Sequence, residues 1–154
     1  MACVGTACAT VLLACVPLFE SSGDTRLIAY HDVVGVVTVC DGHTDKSLKI
    51  GQKFTKEQCQ QMLVDDLVKH AAPVLKCVPG LKDKTGPLAA SVDLAYNIGT
   101  TAFCASTIAK KFNAGDFAGA CAEFSRWVKA GGRVLPGLVK RRAYDRALCE
   151  GKPV

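Results

Sequence analysis

Hydrophobic and polar positions change their spacing several times along this chain. Residues 1–19 form an uncharged run, rich in Ala with Gly5 and Pro17, whose polar side chains are Thr6 and Thr10. At about 1.5 Å per residue, a helix of that length reaches across a hydrocarbon core of about 30 Å. No basic residue precedes the run and no small-residue cleavage site closes it, which speaks against a cleaved signal peptide. The run reads as a segment of marginal membrane association, with an ordinary core helix as the alternative. From Leu27 to Ile50 the pattern turns β-branched: Val33, Val34, Val36, Val37, Thr38, Val39 and Ile50. Asp41-Gly42 is a turn signal, so Val36–Cys40 is expected as one strand of a small antiparallel sheet. Thr55-Lys56-Glu57-Gln58 has the form of a capping box. Cys59, Met62, Leu63, Leu67 and Ala71 then recur at helical spacing until Pro73, where the helix is expected to break. Pro87 opens a further helix through Leu94 and Tyr96 to Gly99. The next is expected over Ala102–Asn113, ending before Gly115. Asp116 caps another, with Phe117, Ala120, Cys121, Phe124 and Val128 inward and Gly131-Gly132 closing it. The last runs from near Pro136 to Gly151. The pattern describes an α+β, mainly helical domain over residues 20–154, with its small sheet near the start.

Composition narrows the partners. The 154 residues (16.2 kDa) suit one domain with a core of its own, and 49% hydrophobic against 21% charged residues excludes a disordered chain. Nineteen Lys+Arg against 14 Asp+Glu give +5, a field suited to a polyanion such as a wall polymer or a membrane surface. With 6% aromatics and no basic-aromatic stripe, nucleic acid is not an expected partner. Nine cysteines lack CxxC or Cys/His ligand spacing, so no zinc or other metal site is expected, and no organic cofactor. Cys40, Cys59, Cys77, Cys104, Cys121 and Cys149 could form three disulfides in an oxidising compartment, or stay as buried thiols in a reducing one. Cys3, Cys8 and Cys15 crowd the apolar segment. Lys140, Arg141, Arg142 and Arg146 read mostly as a solvated basic face with intramolecular ion pairs on the last helix.

Candidate chemistry gathers between Glu20 and Thr44, where Glu20, Asp24, His31, Asp32, Thr38, Asp41 and His43 lie. Two carboxylates flanking a cleft are what glycoside hydrolysis needs: an acid to protonate the leaving oxygen, and a carboxylate to activate water or attack.

The stretch Tyr30-His31-Asp32-Val33-Val34-Gly35-Val36-Val37-Thr38-Val39-Cys40-Asp41-Gly42-His43-Thr44 resembles the signature of bacteriophage-type lysozymes. These glycoside hydrolases carry a Glu, then an Asp or Cys, then a Thr, and Asp32 and Thr38 keep the spacing of the last two. Tyr96-Asn97-Ile98-Gly99, Ser106-Thr107, Trp127 with Ala130-Gly131-Gly132, Pro136-Gly137-Leu138 and Arg141-Arg142 continue the resemblance in order. There are departures. Eleven residues separate Glu20 from Asp32, three more than the family pattern, which suggests an insertion around Ser21–Asp24. Asp24 is thereby a competitor for the acid, and Val37 stands where relatives often have Trp.

The resemblance implies a lysozyme-like domain of two lobes, a small sheet lobe and a larger helical one, that acts as a muramidase on peptidoglycan during phage-induced lysis. Glu20 would be the general acid, its pKa raised by apolar neighbours. Asp32, ionised, and Thr38 would position the attacking water in an inverting mechanism. His43 would brace the sheet and His31 would be exposed. Similarity of residues 1–19 to the signal-arrest-release endolysins implies synthesis in the host cytoplasm, transient tethering to the inner membrane and action in the periplasm or wall. Cys3, Cys8 or Cys15 would be available to join a disulfide after release. A monomer is expected. The alternatives are a lytic transglycosylase, a catalytically inactive wall-binding module, and membrane disruption by the cationic last helix.

Overall fold

The structure, a computed structural model, describes residues 25–32, 35–40 and 42–153. The expectations for segment 1–19, Glu20, Asp24 and Asp41 fall outside the described residues. Contacts divide the described chain into two compact units, residues 25–66 and 67–153.

The first unit is built on β1 (Arg26–His31), β2 (Val37–Cys40) and β3 (His43–Thr44), an antiparallel sheet in that order. β2 starts one residue later than the alternation suggested, because Val36 is taken up by the turn that precedes it. Tyr30 pairs with Thr38, and Thr38 with Thr44. Gly42, at φ +91°, lies between β2 and β3 in a left-handed conformation that suits glycine best. Ala29, Val39, Cys40 and Cys59 form the core, with Leu27, Val37, Leu48, Phe54 and Met62 packed on it. The arm after β3 folds back along β1. There Ala29 N–H donates to Gln52 O and Gly51 N–H donates to Ala29 O, both at 2.9 Å, and Ile28 bridges Lys53.

Helix α1 (Lys56–Cys77) begins with the expected capping box: Gln58 N–H donates to Thr55 Oγ1 at 3.2 Å and Thr55 N–H to Gln58 Oε1 at 2.8 Å. Cys59, Leu63, Leu67, Ala71 and Val74 make its buried stripe. The expected break at Pro73 does not occur. Proline removes a helical hydrogen bond and crowds the preceding turn, but buried Val74 and Val78 continue the stripe beyond it. The Cys77–Cys104 disulfide also ties down the last turn. Tertiary burial overrides the local preference.

The second unit is helical. After a 3₁₀ turn (Pro79–Leu81) come α2 (Thr85–Ile98), α3 (Thr100–Ala105), α4 (Thr107–Asn113), α5 (Phe117–Glu123), a 3₁₀ turn (Phe124–Arg126), the hairpin β4 (Lys129–Ala130) and β5 (Arg133–Val134), and α6 (Pro136–Cys149). Helix α2 is the centre of the unit, since every residue from Leu88 to Ala95 is buried; a helix apolar on nearly all sides has to be surrounded. It starts two residues before Pro87, which still lies in the first turn where no N–H is needed. At Gly86 the backbone of α6 comes so close that a Cβ would lie 2.3 Å from Leu148 O.

The single helix expected over residues 102–113 is two. Ser106 is extended (φ −70°, ψ 161°), and its hydroxyl accepts from Ala109 N–H at 3.2 Å, so it caps α4 and breaks the chain direction. Asp116 caps α5 as expected, accepting from Gly119 N–H at 2.8 Å. Gly131-Gly132 does not close that helix: the pair sits at φ +55° and +77° in the turn of the β4–β5 hairpin, the two positive φ values such tight turns require. Among the described residues three disulfides form, Cys40–Cys59, Cys77–Cys104 and Cys121–Cys149.

Candidate active site

Asp32 follows β1 in a turn that its own side chain closes. Asp32 N–H donates to Val36 O at 2.9 Å, Gly35 N–H donates to Asp32 O at 3.1 Å, and Val36 N–H donates to Asp32 Oδ1 at 2.9 Å. Gly35 lies at φ +83°, which lets the turn reverse this tightly. His31 is exposed, as expected, and its Nδ1 lies 3.0 Å from Gly35 O. A carbonyl only accepts, so that nitrogen carries the hydrogen.

Thr38 stands two residues beyond the turn, buried at 4% exposure, and its hydroxyl donates to Val36 O at 3.1 Å. The backbone of Val36 therefore holds both candidate residues, through its N–H for the Asp32 carboxylate and through its C=O for the Thr38 hydroxyl. Sequence reasoning missed Val36, because backbone groups leave no trace in residue type. With its hydrogen committed, Thr38 Oγ1 has lone pairs left to receive a hydrogen from water.

A cavity of about 600 Å³ opens beside the hairpin, lined by Val36, Val37, Thr44, Asp45, Lys46 and Leu48. Thr44 is the cross-strand partner of Thr38, which places the cavity next to the candidate residues. His43 braces the sheet against α1, its Nδ1 being 2.7 Å from Asp66 Oδ2 with both side chains mostly buried. Among the described residues no cluster of His, Cys, Asp and Glu could hold a metal ion.

The other dense titratable group lies in the second unit. Asp93 receives Arg141 Nε and Nη2, each at 2.9 Å, and Arg142 Nη2 at 3.0 Å. Arg142 Nε also lies 2.9 Å from Asp145 Oδ2, an ion-pair distance that falls outside hydrogen-bond geometry. All four side chains are buried. Burial, followed by the neighbouring Asp93 charge, pushes the Asp145 carboxyl well above its ordinary value. The solvated basic face expected on α6 is thus corrected: Arg141 and Arg142 face inward, Arg146 pairs with Glu150 at 2.8 Å, and Lys140 alone of the four is exposed. The second carboxylate of the network sits 48 positions from Arg141, so the pattern of α6 by itself could not reveal it.

These elements can be compared with known proteins. The family model described as phage lysozyme matches residues 20–145. The chain belongs to the phage lysozyme family. This lysozyme is 38% identical over 148 residues to a SAR-endolysin of Enterobacteria phage PA-2, covering 90% of this chain and 87% of that one. It is 37% identical over 144 residues, with the same coverage, to a SAR-endolysin of Enterobacteria phage P21. Among solved structures, an endolysin from the Escherichia coli phage FAHEc1 superposes with a TM-score of 0.79 at 28% identity, covering 99% of this chain and 97% of that one. The mainly helical α+β architecture with small antiparallel sheets is that of phage lysozymes, and the protein is a peptidoglycan-lysing enzyme.

Proposed function

We propose that this lysozyme is a muramidase that hydrolyses the β-1,4 bond between N-acetylmuramic acid and N-acetylglucosamine. Glu20 is the general acid, and Asp32 and Thr38 position the attacking water. The observation that supports this reading is the shared anchor at Val36. One residue's backbone fixes a carboxylate and a hydroxyl relative to each other, as a water held by two groups requires. Asp32 Oδ1 accepts from the Val36 N–H, which holds the carboxylate in one orientation to take a water proton and to stabilise an oxocarbenium-like transition state. The mechanism in this reading is inverting, which requires room for that water and carboxyl groups roughly 6.5–9.5 Å apart.

In the same reading residues 1–19 are a segment distinct from the catalytic domain 20–154. They insert transiently in the inner membrane and hold the enzyme inactive until release to the periplasm, where it works as a monomer. Among the described residues no helix is long and apolar enough to cross a membrane. The test is lysis of permeabilised cells by wild type and Glu20→Gln, with mass spectrometry of the released muropeptides. Reducing-end products from wild type alone support the proposal. Anhydro products would make the enzyme a lytic transglycosylase, and equal cleavage by both proteins would move the acid to Asp24 or elsewhere. Absence of wall cleavage by either protein would refute catalysis and leave a wall-binding module.

A further inference from the structure

Six of the cations in the second unit form ion pairs inside it. Lys111 and Arg126 pair with Glu123, Arg141 and Arg142 with Asp93, and Arg146 and Lys152 with Glu150. The arm after β3 differs. Residues 46–56 read Lys-Ser-Leu-Lys-Ile-Gly-Gln-Lys-Phe-Thr-Lys, with four lysines and no acid. Lys46, Lys49, Lys53 and Lys56 are all exposed, and among the described residues none forms an ion pair.

The same arm presents aliphatic surface. Ile50 is 52% exposed in a turn closed by Gln52 N–H donating to Lys49 O at 3.0 Å, and Ile28 of β1 is 51% exposed directly opposite Lys53. Opposed residues of an antiparallel bridge leave the sheet on the same face. The arm cannot fold inward to hide Ile50, because Leu48 and Phe54 on either side are already packed on the core and Phe54 N–H is bonded to Leu27 O at 2.8 Å. The basic arm therefore carries half-exposed Ile50, and half-exposed Ile28 lies opposite its Lys53.

We propose that this arm, with Ile28, docks on the anionic phospholipid surface of a bilayer. Unpaired lysines match a polyanion of any kind. The isoleucines favour lipid, because the boundary between headgroups and acyl chains takes up aliphatic side chains, while a hydrated glycan gains little from them. Each lysine near such a surface is worth about a factor of five in partitioning. The attraction decays over about 10 Å at 0.1 M salt and about 3 Å at 1 M. None of Ile28, Lys49, Ile50 and Lys53 is among residues 1–19, the candidate catalytic residues or the lining of the cavity beside them.

The test is sedimentation of the full chain with phosphatidylcholine vesicles, with and without phosphatidylglycerol. Wild type is compared with Lys49→Gln/Lys53→Gln and with Ile28→Ser/Ile50→Ser. Wild type should bind the anionic vesicles more tightly, and the excess should vanish at high salt. The lysine pair should weaken binding by about thirtyfold and the isoleucine pair by at least about fivefold. Hydrolysis of isolated sacculi and the thermal midpoint should stay at wild-type values. Variants that bind vesicles as wild type does would overturn the proposal, since residues 1–19 are intact in all of them. So would variants that keep vesicle binding but lose affinity for sacculi, which would make the arm a wall-binding surface.

Discussion

Asp93→Ala tests the buried charge network most directly. It removes the acceptor of three contacts at 2.9–3.0 Å from two guanidinium groups exposed by only 3% and 0%. Arginine does not deprotonate in proteins, so both charges stay buried with Asp145 as the one remaining carboxyl in the network. Taking one partner from a buried pair costs about 3–5 kcal/mol, a large share of the roughly 5–15 kcal/mol that holds a domain together. For a chain of this size that amounts to a loss of roughly 6–20 °C in Tm. Asp93→Asn gives the pH signature. In wild type the folded-state pKa of Asp145 is raised, so its contribution to stability is complete below the unfolded value and is lost as pH rises through the folded one. Without the Asp93 charge that pKa falls, Asp145 ionises more readily and replaces the missing counter-charge. The deficit of Asp93→Asn should therefore shrink between about pH 4 and pH 8. Urea unfolding followed by circular dichroism across that range measures it. A cost for Asp93→Ala below about 1 kcal/mol, or a deficit for Asp93→Asn that does not change with pH, would refute the reasoning.

Three further outcomes are expected. Asp145→Asn keeps the shape of the neutral acid, so it should leave Tm at pH 7 equal or higher while flattening the decline of stability toward alkaline pH; scanning calorimetry at several pH values would show it. Gly86→Ala forces a methyl against the Leu148 carbonyl and should cost about 1–3 kcal/mol, whereas the same change at Gly80, which has open space around it, should cost far less in the same denaturation assay. Replacing Cys77 and Cys104 by serine opens a loop of 27 residues and should lower stability by about 3–4 kcal/mol on the loop-entropy account; reducing agent should then have a smaller effect on the variant's unfolding midpoint than on wild type's.

What could be read from the chain alone was mostly what is local. The Thr55–Gln58 box, the Asp116 cap and the Asp41-Gly42 turn signal depend on neighbours within a few positions, and the structure has caps at the first two sites and antiparallel pairing across the third. The errors came where local preference met a distant partner. Pro73 reads as a break until Val74, Val78 and the disulfide to Cys104 are seen beyond it. Arg141 and Arg142 read as a wet face until Asp93 arrives from another helix. Gly131-Gly132 failed differently, because a hairpin turn uses the same residue type as the helix stop expected there, and Ser106 because a serine inside an apolar helical pattern can turn its hydroxyl to the backbone and cap a new helix instead. At the candidate site Asp32 and Thr38 were legible through their spacing. Their joint anchor was not, since any residue at position 36 would supply the same N–H and C=O.

The order of the bridges bears on how the chain is made. Cys40 with Cys59, Cys77 with Cys104 and Cys121 with Cys149 are each consecutive among the six cysteines beyond residue 20. Of about 15 ways to pair six thiols, this is the one in which no loop encloses or crosses another. A chain delivered N-terminus first into an oxidising compartment would meet its partners two at a time. Each bridge could close before the next thiol emerged, without reshuffling. For these six thiols, the timing of emergence and the native pairing point to the same product.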